Sequence, residues 1–415
     1  MFRKIICTVT LTLIATVASA QMYATGDWRR IDAPPRYPFV CRVLAAQFST
    51  ADRATPPTAD DTGRIQDALD ACAGSGRSVV LSSSRNGNAF YSAMLTVNGE
   101  GLVVDAGTTL EGNNSYTTQA ELVYVTGRDS FIGGTGAIDG RGDIITGGTP
   151  RLVQTNNADN FIAYQITLQQ AAHPHLYIQG GAGALVYGIT TLTPATRANA
   201  DGIDIDSTHD VSVIGASIEA GDDGVAVKTN VGPAYNITVK GNRLYGTHGL
   251  SVGSQTFLGV TNVLFIDNMV DGLDHNGTFS TNNNAINIKT DEDCGGLVQQ
   301  VTYANTCVTQ AKHLIVVNAY YGSCSGTPGI PQFKNIIING VTAVNSQSGA
   351  YSRLEGYNTD NLAQIYFANV NLDQTAQSSD QNVMAFLDNS NMAPSGTNVT
   401  TGTFSTFGSV PSCAF

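Results

Sequence analysis

The chain has 415 residues, 44 of them glycine and only 13% charged, and carries a formal net charge of −12 at pH 7. An acidic chain lacks the basic footprint of a nucleic-acid binder, and any polyanionic ligand needs local lysine or arginine to be held. Few charges and abundant Gly, Thr and Asn suit a stacked, turn-rich β-structure rather than a helical one.

Residues 1–20 read as a secretory leader. Arg3 and Lys4 form the basic start, Ile5 to Val17 the apolar run, and Ala18-Ser19-Ala20 a small-residue cleavage site. The alternative is an anchored N-terminus, but the apolar run falls short of the ~20 residues of a membrane span and no other stretch approaches it. Cleavage before Gln21 leaves residues 21–415, expected to form one extracellular catalytic domain of formal charge −14. Cys7 departs with the leader. Cys41, Cys72, Cys294, Cys307, Cys324 and Cys413 remain, an even number that suggests up to three disulfides in an exported chain. Their spacings fit no zinc motif, and neither metal nor cofactor is expected.

One segment reads as a helix. Asp61-Thr62 offers a cap, and Ile65, Ala68, Leu69 and Cys72 follow at helical spacing. Short β-rich runs then recur: Phe161–Leu168, Leu185–Leu192, Val211–Ile218, Ile237–Leu244, Val263–Val270, Val301–Val308, Ile336–Val344 and Ile365–Leu372. Their starts are 24, 26, 26, 26, 38, 35 and 29 residues apart. Such a period without intervening helices predicts a β-solenoid whose rungs stack into one core. A sandwich or propeller is the alternative, but propeller blades repeat at roughly 40–50 residues. The helix would cover the open N-terminal end of the solenoid. The polar stretch Asp274–Asn284 stretches the period and reads as a loop near the rim of a site, or as a neutral surface elaboration.

Four segments carry chemistry: Asn199–Asp206, Gly221–Thr229, Thr247–Ser254 and Asn287–Thr290. Asp222 lies 21 residues after Asp201, and His248 lies 26 after Asp222, so all three fall on neighbouring rungs. Glycoside hydrolysis needs one protonated carboxyl and one carboxylate, and clustered like charges raise one pKa. Asp222 and Asp223 can work together only at a turn, because strand neighbours point to opposite faces; Gly221 and Gly224 permit one. Rungs about 4.8 Å apart bring carboxylates within the ~6.5–9.5 Å separation of inverting glycosidases. Taken singly, each feature has a bland reading. Asp-Asp is a solvated turn, Asp204 and Asp206 belong to a half-exposed strand, His248 is a wall histidine and Lys289 a surface lysine. Asp291-Glu292-Asp293 lacks the alternating ligands of a calcium loop and reads as solvated.

Together these motifs resemble glycoside hydrolase family 28, the polygalacturonase-like pectin hydrolases, in a style closer to bacterial endo-polygalacturonases than to fungal ones. Asn199-Ala200-Asp201, Gly221-Asp222-Asp223, Thr247-His248-Gly249 and Asn287-Ile288-Lys289 stand for the family's Asn-Thr-Asp, Gly-Asp-Asp, Gly-His-Gly and Arg-Ile-Lys. Thr149-Pro150-Arg151-Leu152 and Gly136–Gly140 also look like family segments. The resemblance implies a right-handed parallel β-helix and a Cys41–Cys72 disulfide. It implies an inverting single displacement on α-1,4-galacturonosidic bonds of polygalacturonate or pectin. Asp222 would be the general acid, Asp201 and Asp223 would hold the attacking water, and His248 would tune the acid or bind sugar. Lys289 would pair with a uronate carboxylate and Tyr321 would line the cleft, with Tyr320 its rival in the alignment. Asn199 and Lys228 would shape the site. Asn287 lacks the charge of the arginine it replaces, which points to weaker recognition of one uronate or an adapted subsite. The alternatives are a rhamnogalacturonan or xylogalacturonan hydrolase, a pectate lyase, or a non-catalytic glycan-binding β-helix. The expected partner is an acidic plant cell-wall polysaccharide, with no nucleic acid or membrane, and the chain is expected to be a monomer.

Overall fold

A computed structural model describes residues 23–145, 148–324 and 328–414. The leader expected over residues 1–20 lies outside them. The chain winds into a parallel β-helix. Through most of its length each coil contributes three short strands, and each strand pairs in parallel with its counterpart on the next coil. One face runs through Ile203–Asp206, Val225–Lys228, Leu250–Val252, Asn284–Lys289, His313–Asn318 and Tyr351–Glu355.

Alternation along each strand sorts this face into columns. Ile203, Val225, Leu250, Ile286 and Ile315 stack in register, as do Ile205, Val227, Val252, Ile288 and Val317, and all are buried in the core. Each such side chain contributes about 1.5–3 kcal/mol by leaving water. The intervening column runs Asp204, Ala226, Ser251, Asn287, Val316 and Arg353, and opens outward.

The β-runs expected as single strands bend in the middle. Leu185–Leu192 is two strands, Leu185–Tyr187 and Thr190–Leu192, and the same division recurs one, two and three coils later. The bend falls at a residue in the left-handed region, Gly188, Gly215, Gly241 or Asp267. Past Leu297 the two faces merge into continuous strands, Leu297–Thr309 and Gln332–Val344. At two successive corners an asparagine points inward. Asn242 and Asn268 are buried; Asn242 Nδ2 donates to Asn268 Oδ1 at 3.0 Å, and Asn242 Oδ1 accepts from Ala216 N at 2.8 Å. These amides satisfy backbone groups that the bend removes from the ladder.

The expected helix forms as α1, Thr62–Asp70, and buries Ile65, Ala68 and Leu69 in the core of the first coils. Asp61 occupies the N-cap position, but its carboxylate accepts from Arg64 and from Tyr91 N rather than capping the helix. Cys41 pairs with Cys72, Cys294 with Cys324 and Cys307 with Cys413. No helix among the described residues is long and apolar enough to cross a membrane.

Asn242→Ala strands buried backbone and amide groups. It should lower the free energy of unfolding by about 3 kcal/mol, measured by urea titration, and leave catalytic turnover unchanged.

Candidate active site

The turns before three successive strands carry the reactive groups. Asp201, Asp223 and His248 each lie two residues before the strands that start at Ile203, Val225 and Leu250. The in-register pairing of those strands therefore sets the three side chains on adjacent rungs. Backbone hydrogen bonds continue through the turns: Gly202 N to Asp223 O at 2.9 Å and His248 N to Asp222 O at 2.8 Å. The Asp222-Asp223 turn is as tight as expected, for a Cβ on Gly221 would lie 2.0 Å from Arg197 O.

Asp222 is the most open of the three carboxylates, with 23% of its side chain exposed. Its Oδ1 lies 2.8 Å from His248 Nδ1. Burial pushes its pKa up, but the hydrogen bond and charge of His248 outweigh burial and hold it below the usual carboxylate range. The raised carboxyl expected from clustered charge is found at Asp204, where burial and then the neighbouring Asp201 push the pKa well up. Asp204 and Asp206 are buried, not half-exposed as the alternation suggests: Asp204 lies in the lining of a cleft, and Asp206 is covered by hydrogen bonds from Tyr177, Gln179 and Asn230.

Two lysines organise the acids. Lys228 Nζ lies 2.8 Å from Asp201 Oδ2 and 2.8 Å from Asp204 Oδ1. Its burial favours the neutral amine, but the charges of Asp201, Asp204 and Asp223 prevail and raise its pKa. Lys289 Nζ lies 2.9 Å from Asp223 Oδ2, so its pKa too is raised against burial. Ser251 Oγ donates to Asp223 Oδ1 at 2.7 Å, and Asn287 Nδ2 reaches Ser251 Oγ at 3.4 Å. Asn287 thus faces the site but acts through Ser251 on Asp223. Tyr321 carries Lys289 over its ring at 4.8 Å from the centroid and lines the cleft, whereas Tyr320 stacks on Tyr357. Asn199 lines the cleft, and its backbone N–H lies 3.4 Å from Asp222 Oδ2.

All nine expected residues line one groove. A cleft of about 310 Å³ holds Asn199, Asp201, Asp222, Asp223, Lys228 and Tyr321. A second hollow of about 200 Å³ holds His248 and Asn287. Lys289 and Tyr321 border both. The loop over Asp274–Asn284 does rim the groove: Asn282 and Asn284 line the second hollow. Its Asp274 accepts from Ala195 N at 3.1 Å, and His275 Nδ1 contacts the buried Glu219. Asp291 is buried rather than solvated.

The sequence motifs left out several lining residues: Asp204, Ser251, His173 and Arg353. Ser251 belongs to the Thr247–Ser254 segment and was findable from strand alternation; His173 and Arg353 carry no motif. Buried His175 lies beneath the site with Nδ1 2.7 Å from Asp201 O, and burial pushes its pKa down to about 4. It is a neutral support for the Asp201 backbone.

Among the described residues, Asp222, Asp223 and His248 bring ligand atoms within 4.8 Å of one another, a spacing that suits a cation. The Lys289 ammonium already occupies Asp223, and His248 occupies Asp222. A group with Asp293, Cys294 and Cys324 has its two cysteines in a disulfide.

The chain resembles an endo-polygalacturonase of Pectobacterium parmentieri at 30% identity over 88% of this chain and 94% of that protein. A polygalacturonase of Ralstonia solanacearum is 29% identical over 79% of this chain and 77% of that protein. The solved polygalacturonase of Erwinia carotovora superposes with a TM-score of 0.75 at 26% identity, over 86% of this chain and 99% of that one. Residues 91–391 match the model of glycosyl hydrolases family 28, and the chain belongs to that family of glycoside hydrolases.

Proposed function

We propose that this chain is an extracellular polygalacturonase that hydrolyses α-1,4-galacturonosidic bonds by a single displacement with inversion. The carrying observation is the set Asp201, Asp222, Asp223 and His248 on adjoining rungs, with the Lys289 ammonium between the two hollows of the groove. Asp222 is the exposed carboxyl and protonates the leaving glycosidic oxygen. Asp201 and Asp223 orient and deprotonate water on the opposite side of the sugar ring.

The depressed pKa of Asp222 bears on this role. The contact between Asp222 Oδ1 and His248 Nδ1 at 2.8 Å holds Asp222 toward its ionised form in the free protein. A substrate rich in carboxylates brings negative charge beside Asp222 and disfavours its ionised form. Binding thus favours the protonated acid that donates to the leaving glycosidic oxygen. Lys289, with Tyr321 over it, offers its remaining N–H bonds to a uronate carboxylate.

Wild-type protein with a chelator present should release reducing ends of inverted configuration from polygalacturonate; unsaturated, ultraviolet-absorbing ends would mark a lyase and sink the proposal. Asp222→Asn should lower kcat at least about 100-fold, with KM little altered, measured from reducing-end release. His248→Ala removes the partner that holds the Asp222 carboxyl down. That carboxyl should titrate at higher pH than in wild type, read by carbon NMR, and an unchanged titration would separate His248 from the acid.

A further inference from the structure

The second hollow holds more positive charge than the reacting groups use. At its far side Arg353 stands in the outward column two rungs beyond Asn287, with Val316 between, so roughly 10 Å from it at about 4.8 Å per rung. Arg353 Nη2 pairs with Glu355, while 35% of the Arg353 side chain stays exposed where it lines the hollow. A guanidinium has five N–H donors, and one carboxylate does not satisfy them. His313 lines the same hollow, its Nδ1 2.8 Å from Asn284 Oδ1, and burial followed by the charges of Lys312, Arg353 and His248 keeps it neutral. Glu355 pairs with Arg353, and Asp223 pairs with Lys289. Lys289 and Tyr321 border both hollows, so a polymer lying across the acids continues into this one.

We infer that Arg353 is a carboxylate-binding subsite for a hexuronate unit of the same polysaccharide, remote from the bond being cleaved. The inference rests on the polygalacturonate reading above. A planar guanidinium with free N–H groups fits a carboxylate, and an esterified unit loses the charge that makes the pair strong. The subsite acts through binding alone and leaves the chemical step untouched.

The test uses galacturonate oligomers of increasing defined length with wild type, Arg353→Gln and Arg353→Lys. Arg353→Gln should raise KM roughly 10-fold on oligomers long enough to fill both hollows. It should leave the shortest cleaved oligomers and kcat unchanged, and Arg353→Lys should recover part of the loss. Methyl-esterified long oligomers should distinguish wild type from Arg353→Gln far less than unesterified ones do. A KM unchanged at every length, or raised equally at every length, overturns the subsite. Should wild type cleave none of these oligomers, the polygalacturonate reading fails, and calorimetric binding of the longest unesterified oligomer decides the subsite by itself. Weaker binding by Arg353→Gln, partly restored by Arg353→Lys, supports it; equal binding or none overturns it.

Discussion

Successive coils of this chain hydrogen-bond their backbones in parallel, and the strands that carry the acids and His248 do so in register. That lateral pairing fixes where every outward side chain stands. Asp201, Asp223 and His248 meet because each precedes its strand by the same two residues, and the strands pair without slippage. A one-residue slip would turn the Ile205, Val227 and Val252 stack outward and the acids inward. The core stacks therefore protect the site as well as the fold, since the aliphatic columns tolerate only one register.

The site is a chain of charge pairs in which no acid stands alone. Lys228 spans Asp201 and Asp204, Lys289 holds Asp223, and His248 holds Asp222. Burying this much charge is costly unless each member is paired, and the pairing orders the acids by what they can do. Asp204, beside Asp201, is driven toward its neutral form, while Asp222, the most open of the acids, is held toward its ionised form by His248. Asn287 and Ser251 add neutral hydrogen bonds on the flank of Asp223, where they orient a carboxylate without changing the charge of the cluster.

Much of this was legible in the sequence, for reasons that also mark where legibility stops. The period near 26 residues is a property of the stacked coil and shows in the spacing of successive β-rich runs. The bend inside each run is subtler: Gly188, Gly215 and Gly241 signal it, but Gln165 and Asp267 adopt the same left-handed backbone without a glycine to announce it. Eight of the nine site residues came from four short segments spaced near the coil, and Tyr321 from the family resemblance alone. Asp204 was misread because an outward residue looks the same in sequence whether it meets bulk water or the floor of a cleft. Clustered charge in the sequence pointed to one raised carboxyl without saying which; the structure puts it at Asp204, because the imidazole holds Asp222 down. Arg353 lies beyond the last motif, on a strand that gives no local sign of facing the groove.

The outward column sets a charge at Arg353 and an apolar side chain at Val316 beside it, with a neutral amide at Asn287. A solenoid presents its side chains at the pitch of its coils, and a polymer presents its groups at the pitch of its monomers. Two combs of unequal pitch mesh at some teeth and miss at others. A groove built this way responds to the pattern of charge along a polymer, as a vernier responds to a scale. A change of one coil in where a cation stands alters which patterns fit, with no change to the chemistry at the turn.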